Sequence, residues 1–331
     1  MRRLVTIQEI LSLDPIEGAD KIEVARVLGW HVVVKKGEFK VGDKVVYAEV
    51  DSKFPEEEPF TFLQQSHYRV KTVKLRGQVS QGICFGLDIL PEGEYEIDQE
   101  VTELLKVVKY EPPISAALRG DAKGAFPAFV SRTGETRIQV LQSKLTQLKG
   151  LRTVYSEKLD GTSSTFYLRD GDFGVCSKNL DLKQTEGNTY WKMAEKHNIK
   201  EKLEDLGRNL SLQGEIIGEG IQGNKYKLPK GEHQLFLFNI YDIDKSEYLG
   251  FKEFIELTGK LDIPTVPILD DNFLVGDDID ELVELSKGKS ALCATTHREG
   301  VVIKGYEELT HRGQRVSFKV ISPDFLLKYK E

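Results

Sequence analysis

Cysteine is scarce. The chain's three, Cys84, Cys176 and Cys293, lie far apart among 331 residues, which argues against a disulfide framework and a cysteine-based zinc site and fits a reducing cytoplasm. The six histidines fall at no close ligand spacing, which argues against a histidine zinc site as well. No apolar run nears the roughly eighteen residues needed to cross a bilayer, so no membrane partner is expected. The opening MRRLVTIQEI leads into no long apolar stretch of the kind a secretory signal carries. An excess of positive charge is also missing. With 46 Lys and Arg against 53 Asp and Glu, for a net charge of −7, general electrostatic capture of nucleic acid is not expected, and local patches must decide. KVVKY, VKTVKLRG and NKYKLPKG are locally basic, but short runs of this kind are more often solvated surface. GEIIGEGIQG lacks the GxGxxG spacing and the strand-to-helix setting of a dinucleotide loop and reads as a turn beside a pocket.

What is present points to two soluble domains, with 40% hydrophobic and 30% charged residues. Residues 1–110 carry short alternating runs, among them KIEVARVLGWHVVV, DKVVYAEV, YRVKTVKL and QGICFGL. Turn clusters such as EGAD, KKGEFKVGD and PEGE separate them. This rhythm predicts a small OB-like β-barrel with no long helix and at most a short turn around FTFLQQ. PIEGADKIEVARVLGWHVVV and KLRGQVSQGICF resemble the OB-fold tRNA-binding modules appended to some synthetases; a purely structural barrel is the alternative.

Residues 111–129, EPPISAALRGDAKGAFPAF, are rich in Pro, Ala and Gly without a period and read as a linker. From 130 to 331 the pattern changes. VYSEKL, STFYLR, FGVCSKN, LSLQGEIIG, HQLFLFNIYDI, EGVVIKGY and RVSFKVIS read as strands. TYWKMAEKHNIKEKLEDLG reads as one long helix, with FKEFIELTGKL and DIDELVELSKG as shorter amphipathic ones. The fold class expected is α+β, with mainly antiparallel sheets and flanking helices behind the barrel.

Within YSEKLDGTSSTFYL, Lys158, Asp160 and Gly161 form a Lys-x-Asp-Gly pattern. On a strand, positions 158 and 160 share a face, so an amine and a carboxylate would line one pocket, while Gly161 lets the chain turn closely around a ligand. Alone, the pattern is weak, and a surface salt pair stands as the alternative reading. An ordered succession follows, however. Ser177-Lys178-Asn179, Glu215 in LQGEIIGEG, Phe238 to Asp242 in FNIYD, Glu299 in EGVVIK and Lys319 in VSFKV all fall on predicted strands or at their ends. Over about residues 130–325 this succession resembles the covalent nucleotidyltransferase superfamily of ATP-dependent ligases and mRNA capping enzymes.

The resemblance implies a nucleotidyltransferase (ATP-grasp-like) domain in which Lys158 attacks the nucleotide α-phosphate. A free lysine, with a pKa of about 10.4, is mostly protonated at neutral pH and needs nearby positive charge or desolvation to act as a nucleophile. Mg²⁺ (or Mn²⁺) would supply that charge, with Asp160, Glu215 and Glu299 as the candidate ligands. Lys304 and Lys319 would face the triphosphate. Phe238 would stack on adenine, or else be core, and Glu215 has the ribose as an alternative partner. Gly161, Lys178 and Asn179 complete the implied nucleotide site.

Domain order narrows the family. Only twelve residues follow Lys319, too few for the OB domain that DNA ligases and capping enzymes carry after the core; the OB-like domain stands in front. With FPAFVSRTGETRIQ and QGNKYKL, this arrangement resembles the Deinococcus/Naegleria-type RNA ligases over almost the whole chain. That likeness implies that Arg137 and Gln139 help form the nucleotide pocket, with Glu157 beside the nucleophile. It also implies a monomeric ATP-dependent RNA ligase that joins 3′-OH and 5′-phosphate ends through lysyl-AMP in RNA repair or nick sealing. Its partner would be RNA, a nicked duplex with an RNA 3′-OH strand. One departure stands out: RNA ligases often show Lys-x-Lys in the last motif, and this chain has Lys319-Val320-Ile321. Arg69, Lys71, Lys74 and Arg76 are candidates for a nucleic-acid groove, or else a solvated strand face. The rivals are a capping-type guanylyltransferase or DNA ligase and, from another class, a non-catalytic RNA-binding protein.

Overall fold

The structure, a computed structural model, describes residues 3–111, 116–308, 310–311 and 314–329. By contacts the chain divides into two units. The first comprises Met1–Pro113, Ile138–Ser143 and Pro323–Glu331, and the second Ile114–Arg137 and Lys144–Ser322.

The first unit is built of short strands: β1 (Val5–Glu9), β2 (Ser12–Pro15), β3 (Ile22–Val27), β4 (Trp30–Lys35), β5 (Lys44–Ala48), β6 (Ser52–Lys53), β7 (Thr72–Leu75), β8 (Gln78–Gln81), β9 (Ile83–Phe85) and β10 (Val108–Lys109). They pair antiparallel as β1-β5-β9, β2-β3-β4, β7-β8 and β10-β6. The period-2 pattern read from the sequence is realised on β4, where Trp30, Val32 and Val34 are buried and His31 and Val33 are half-buried. Those side chains join Val5, Ile7, Val27, Tyr47 and Phe54 in one core. Gly82, at φ +110°, links β8 to β9 where a Cβ would lie 2.4 Å from the Tyr47 ring and 2.8 Å from the Ala48 carbonyl oxygen. Only glycine fits there. FTFLQQ forms a 3-10 helix, Phe60–Ser66, as its short turn suggested.

The second unit adds α1 (Ala116–Gly120), β11 (Ala122–Ala125), β12 (Thr136–Arg137), α2 (Gln142–Leu148), β13 (Arg152–Lys158), β14 (Thr162–Arg169), β15 (Asp172–Cys176), β16 (Leu180–Leu182), α3 (Thr189–Lys196), α4 (Ile199–Leu206), β17 (Leu210–Gly218), β18 (His233–Asp242), β19 (Glu247–Tyr248), α5 (Phe251–Leu261), β20 (Ile268–Leu274), α6 (Ile279–Ser286), β21 (Gly300–Gly305), β22 (Thr310–His311), β23 (Gln314–Arg315) and β24 (Ser317–Ile321). A seven-stranded antiparallel sheet runs β11-β16-β15-β14-β17-β18-β19. A five-stranded sheet runs β12-β24-β21-β13-β20, in which the β12–β24 pair is parallel and the rest antiparallel. Phe166, Leu212, Ile216, Leu235 and Leu237 of the larger sheet pack against Met193, Ile199, Leu203, Phe254 and Leu257 of its helices.

Three stretches differ from the sequence reading. Within 111–129, read as a linker, 112–115 lie outside the described residues, while α1 and the edge strand β11 are ordered secondary structure. The helix expected over 189–207 is two. Asn198 sits in the left-handed region at φ +49°, a conformation asparagine tolerates and one that interrupts the helical hydrogen-bond ladder. The strand β20, ILDDNFL, was hidden by its polar centre, which is exposed at an edge of the five-stranded sheet. The final helix α7 (Pro323–Tyr329), with Phe325 and Leu326 buried, and the turn Ile138–Val140 group with the first unit.

Phe166 is fully buried at the centre of the larger sheet. Its replacement by alanine is expected to remove about 3–5 kcal/mol of stability, read as a lowered midpoint in urea denaturation.

Candidate active site

The Lys-x-Asp-Gly segment is a crossover. Lys158 ends β13 in the five-stranded sheet, and β14 begins at Thr162 in the seven-stranded one. Leu159 between them is buried. The Asp160 amide donates to the Tyr226 hydroxyl at 2.7 Å, and the Gly161 amide to Glu215 Oε1 at 3.1 Å. A Cβ on Gly161 would fall 2.3 Å from the Ile216 carbonyl oxygen and 2.9 Å from Glu215 Cγ, so the glycine serves close approach to a neighbouring strand of the protein itself.

Directly paired residues share a sheet face. Lys158 pairs with Gly300, Ser156 with Val302 and Val154 with Lys304 across β13–β21. Val302 pairs in turn with Lys319, and Lys304 with Ser317, across β21–β24. Arg137 of β12 pairs with Lys319. Lys158, Lys304, Lys319 and Arg137 therefore lie on one face. Glu157, one residue off, points to the other face. Its Oε2 accepts from the Ala291 amide at 2.7 Å, so its buried carboxylate anchors the 290–291 turn and does not join Lys158. Gln139 is buried and groups with the first unit, where its backbone carbonyl accepts from the Gly29 amide. Lys178 is exposed, and the Asn179 side chain accepts weakly from Arg132 at 3.4 Å.

Three carboxylates gather around the nucleophile candidate, each held by a donor of the chain. Lys158 Nζ lies 2.5 Å from Glu299 Oε2, Lys225 Nζ lies 2.5 Å from Asp160 Oδ2, and Glu215 takes the Gly161 amide. Burial pulls the Lys158 ammonium down, but Glu299, Glu215 and Asp160 outweigh it and hold the pKa above the ordinary lysine value. Lys158 is thus an ammonium here, and becoming a nucleophile requires relief of that negative charge. Among the described residues, no group of three or more His, Cys, Asp or Glu is arranged as a metal cage. Carboxylate oxygens such as those of Asp160, Glu215 and Glu299 are the donor type that a hard divalent cation takes, directly or through water.

Phe238 is the extra residue of a β-bulge. Gln213 faces Asn239 and Gly214 faces Leu237, leaving Phe238 without a register partner, and such bulges re-aim side chains. Lys304 grips the bulge. Its Nζ donates to the Phe238 carbonyl at 2.6 Å and to Asn239 Oδ1 at 2.7 Å, 5.6 Å from the Phe238 ring centre. Val154, Ser156, Phe238, Asn239, Val266 and Lys304 line a cleft. Burial, then the nearby Arg315 charge, lowers the Lys304 pKa to about 7. Lys304 therefore fixes the backbone that carries Phe238. Lys225, Tyr226 and Asn239 were not singled out from sequence. The first two lie in QGNKYKL, and their basic and aromatic side chains in a turn next to a predicted pocket were the available signal.

In the first unit, Arg69 is committed to structure: it pairs with Asp51 at 2.6 Å and lies 4.1 Å over the Tyr110 ring. Lys74 and Arg76 are exposed on the β7–β8 hairpin beside exposed Val73 and Leu75, with Lys71 half-buried. Among the described residues, no helix is long and apolar enough to cross a membrane.

Burial, then Glu299 and Asp160, push the Glu215 carboxyl from 4.5 up to about 8, against Lys158 and the Gly161 amide. A raised folded-state pKa means that the folded protein binds the extra proton between those values, so this group's contribution to stability falls as pH rises through that window. Glu215→Gln is expected to melt progressively higher relative to wild type between pH 5 and 8, as measured by thermal denaturation across that range.

Comparison with known proteins supplies the family. Residues 152–321 match the family model described as RNA ligase, and residues 4–87 match an OB-fold domain. No curated protein gives a match. Among solved structures, Naegleria gruberi RNA ligase with PPi is 39% identical, with a TM-score of 0.90, covering 100% of this chain and 99% of that one. A lysine-to-alanine variant of that ligase, with ATP and Mn, is 39% identical at TM-score 0.90 and covers 99% of both chains. A glutamate-to-alanine variant with AMP and Mn matches with the same identity, score and coverage. A likeness of this extent, over both units, places the chain in the RNA ligase family.

Proposed function

We propose that the protein is an ATP-dependent RNA ligase that joins 3′-OH and 5′-phosphate ends through a lysyl-AMP intermediate, with Lys158 as the nucleophile. The observation that carries the assignment is the Lys158 amine, set at the crossover between two sheets and ringed by Glu299, Glu215 and Asp160. The ligands named for the Naegleria gruberi structures, ATP, AMP, PPi and Mn, are the substrate, the transferred group, the leaving group and a metal for that chemistry.

In the first step Lys158 Nζ, having lost a proton, attacks the α-phosphorus. An N–P bond forms, the α–β P–O bond breaks, and pyrophosphate leaves. An oxygen of the RNA 5′-phosphate then attacks the same phosphorus and frees the lysine. Finally a 3′-hydroxyl attacks the activated 5′-phosphorus, loses its proton and expels AMP. Each step is an in-line substitution at phosphorus, driven by positioning and charge neutralisation. Asp160, Glu215 and Glu299 would hold a divalent cation, Mg²⁺ or Mn²⁺, whose positive charge favours the neutral amine and offsets charge on the α-phosphate. Phe238, held by Lys304, offers a ring for the adenine, and Lys319 and Arg137 offer cations on the face shared with Lys158.

The front unit, residues 1–110, serves in this proposal as the nucleic-acid platform, with Lys71, Lys74 and Arg76 on or beside its exposed hairpin. The substrate is a nick whose 3′-OH strand is RNA, the protein acts as a monomer, and its free cysteines suit the reducing cytoplasm.

With labelled nucleotide and Mg²⁺, the wild type is expected to form a covalent adduct from ATP and not from GTP, and Lys158→Ala to form none. A GTP-only adduct would point to guanylyl transfer instead. On a panel of matched nicks, sealing is expected to be fastest where the 3′-OH strand is RNA, and equal sealing of an all-DNA nick would refute that preference.

A further inference from the structure

Lys225 has no part in the steps above, yet its placement is as constrained as that of Lys158. Its ammonium and the Asp160 carboxylate meet at 2.5 Å with side chains only 12% and 8% exposed. A buried pair of this kind holds because removing either partner strands the other charge. The backbone around it is fixed. Thr296 Oγ1 donates to the Lys225 carbonyl at 2.5 Å, and the Asn224 side chain closes the turn on Leu228 through bonds of 2.8 and 3.1 Å. The next residue, Tyr226, receives the Asp160 amide. The loop therefore grips Asp160 twice, once by its backbone and once by its carboxylate.

We infer that Lys225 is a resident counter-ion for Asp160 that competes with the divalent cation, so that the cation is held only when the Lys225–Asp160 pair opens. The inference rests on the reading of Asp160 as part of the metal site. Of the three carboxylates near Lys158, Glu299 is bound to Lys158 itself and Glu215 receives the Gly161 amide. Asp160 is the one closed by a cation that takes no part in the chemistry. An ammonium and a divalent ion on the same carboxylate repel each other at close range in a poorly solvated site. Two cations that bind one group exclusively lower each other's affinity reciprocally. Lys225 is the nearest cation to the Asp160 carboxylate, as Lys158 is to that of Glu299. It is a positioning residue: it acts through Asp160 and sets how readily the site takes up the ion.

The test uses the full-length protein and Mn²⁺ alone, without nucleotide, with free Mn²⁺ followed by its electron paramagnetic resonance signal. Lys225→Met is expected to bind Mn²⁺ about tenfold more tightly than wild type, within the usual range for coupled sites. Lys225→Arg keeps the cation and is expected to stay near the wild-type affinity, while Asp160→Asn is expected to bind more weakly. If Asp160→Asn weakens binding but Lys225→Met leaves it unchanged or weaker, the competition is refuted and the metal reading survives. If Asp160→Asn binds as wild type does, the metal reading fails and the competition fails with it. Lys225→Gln, isosteric enough to preserve the loop, gives the same comparison should the methionine variant melt below the assay temperature.

Discussion

The structure depends on holding an ammonium inside a cleft. Lys158 cannot sit between two sheets as a charged group without anionic neighbours, and Glu299 at 2.5 Å, with Glu215 and Asp160 around it, meets that need. The solution creates its own demand, because burial, and then repulsion from Glu299 and Asp160, pushes Glu215 upward. Lys225 on Asp160 and the Gly161 amide on Glu215 answer that demand. The outcome is a set of mutually balanced charges that holds the lysine protonated.

The same logic explains the single lysine of the last strand. Two positions beyond Lys319 on its face is Ile321, buried and paired with Gly300, where a Cβ would already strike the Val320 carbonyl oxygen at 2.1 Å. Two positions before it is Ser317, directly across from Lys304. Lys304 is committed to the bulge at Phe238 and Asn239, and the nearby Arg315 charge already depresses its pKa. A lysine at 317 would set a third cation beside these two. Serine avoids that repulsion, and Lys304 keeps its bonds to the Phe238 carbonyl and to Asn239.

Much of this was legible beforehand because strand periodicity and ordered motifs are local signals. The alternation on β4 announced the barrel, the helix over Phe251–Leu261 matched its apolar spacing, and Lys158, Glu215, Glu299 and Lys319 stood out by order and residue type. Other features escaped for physical reasons. Asn198 breaks a helix whose apolar spacing reads on without interruption, and β20 is an edge strand whose polar residues face outward. The Phe238 bulge depends on the register between two strands. Glu157 adjoins the nucleophile in sequence, but the period of two sends it to the opposite face.

By itself the sequence determined the residue types: a lysine with an acid two positions on, a glycine beside it, and carboxylates and lysines arriving on successive strands. Those follow from chemistry that is carried by single side chains and from periods of two or 3.6 along the chain. Tertiary structure alone decided which charges meet. Lys225 and Asp160 are far apart in the chain, as are Lys304 and Asn239, and each pair forms because two sheets close on one crossover. Ion pairs in a cleft depend on distance and desolvation, and both are set by the fold and not by the order of the residues.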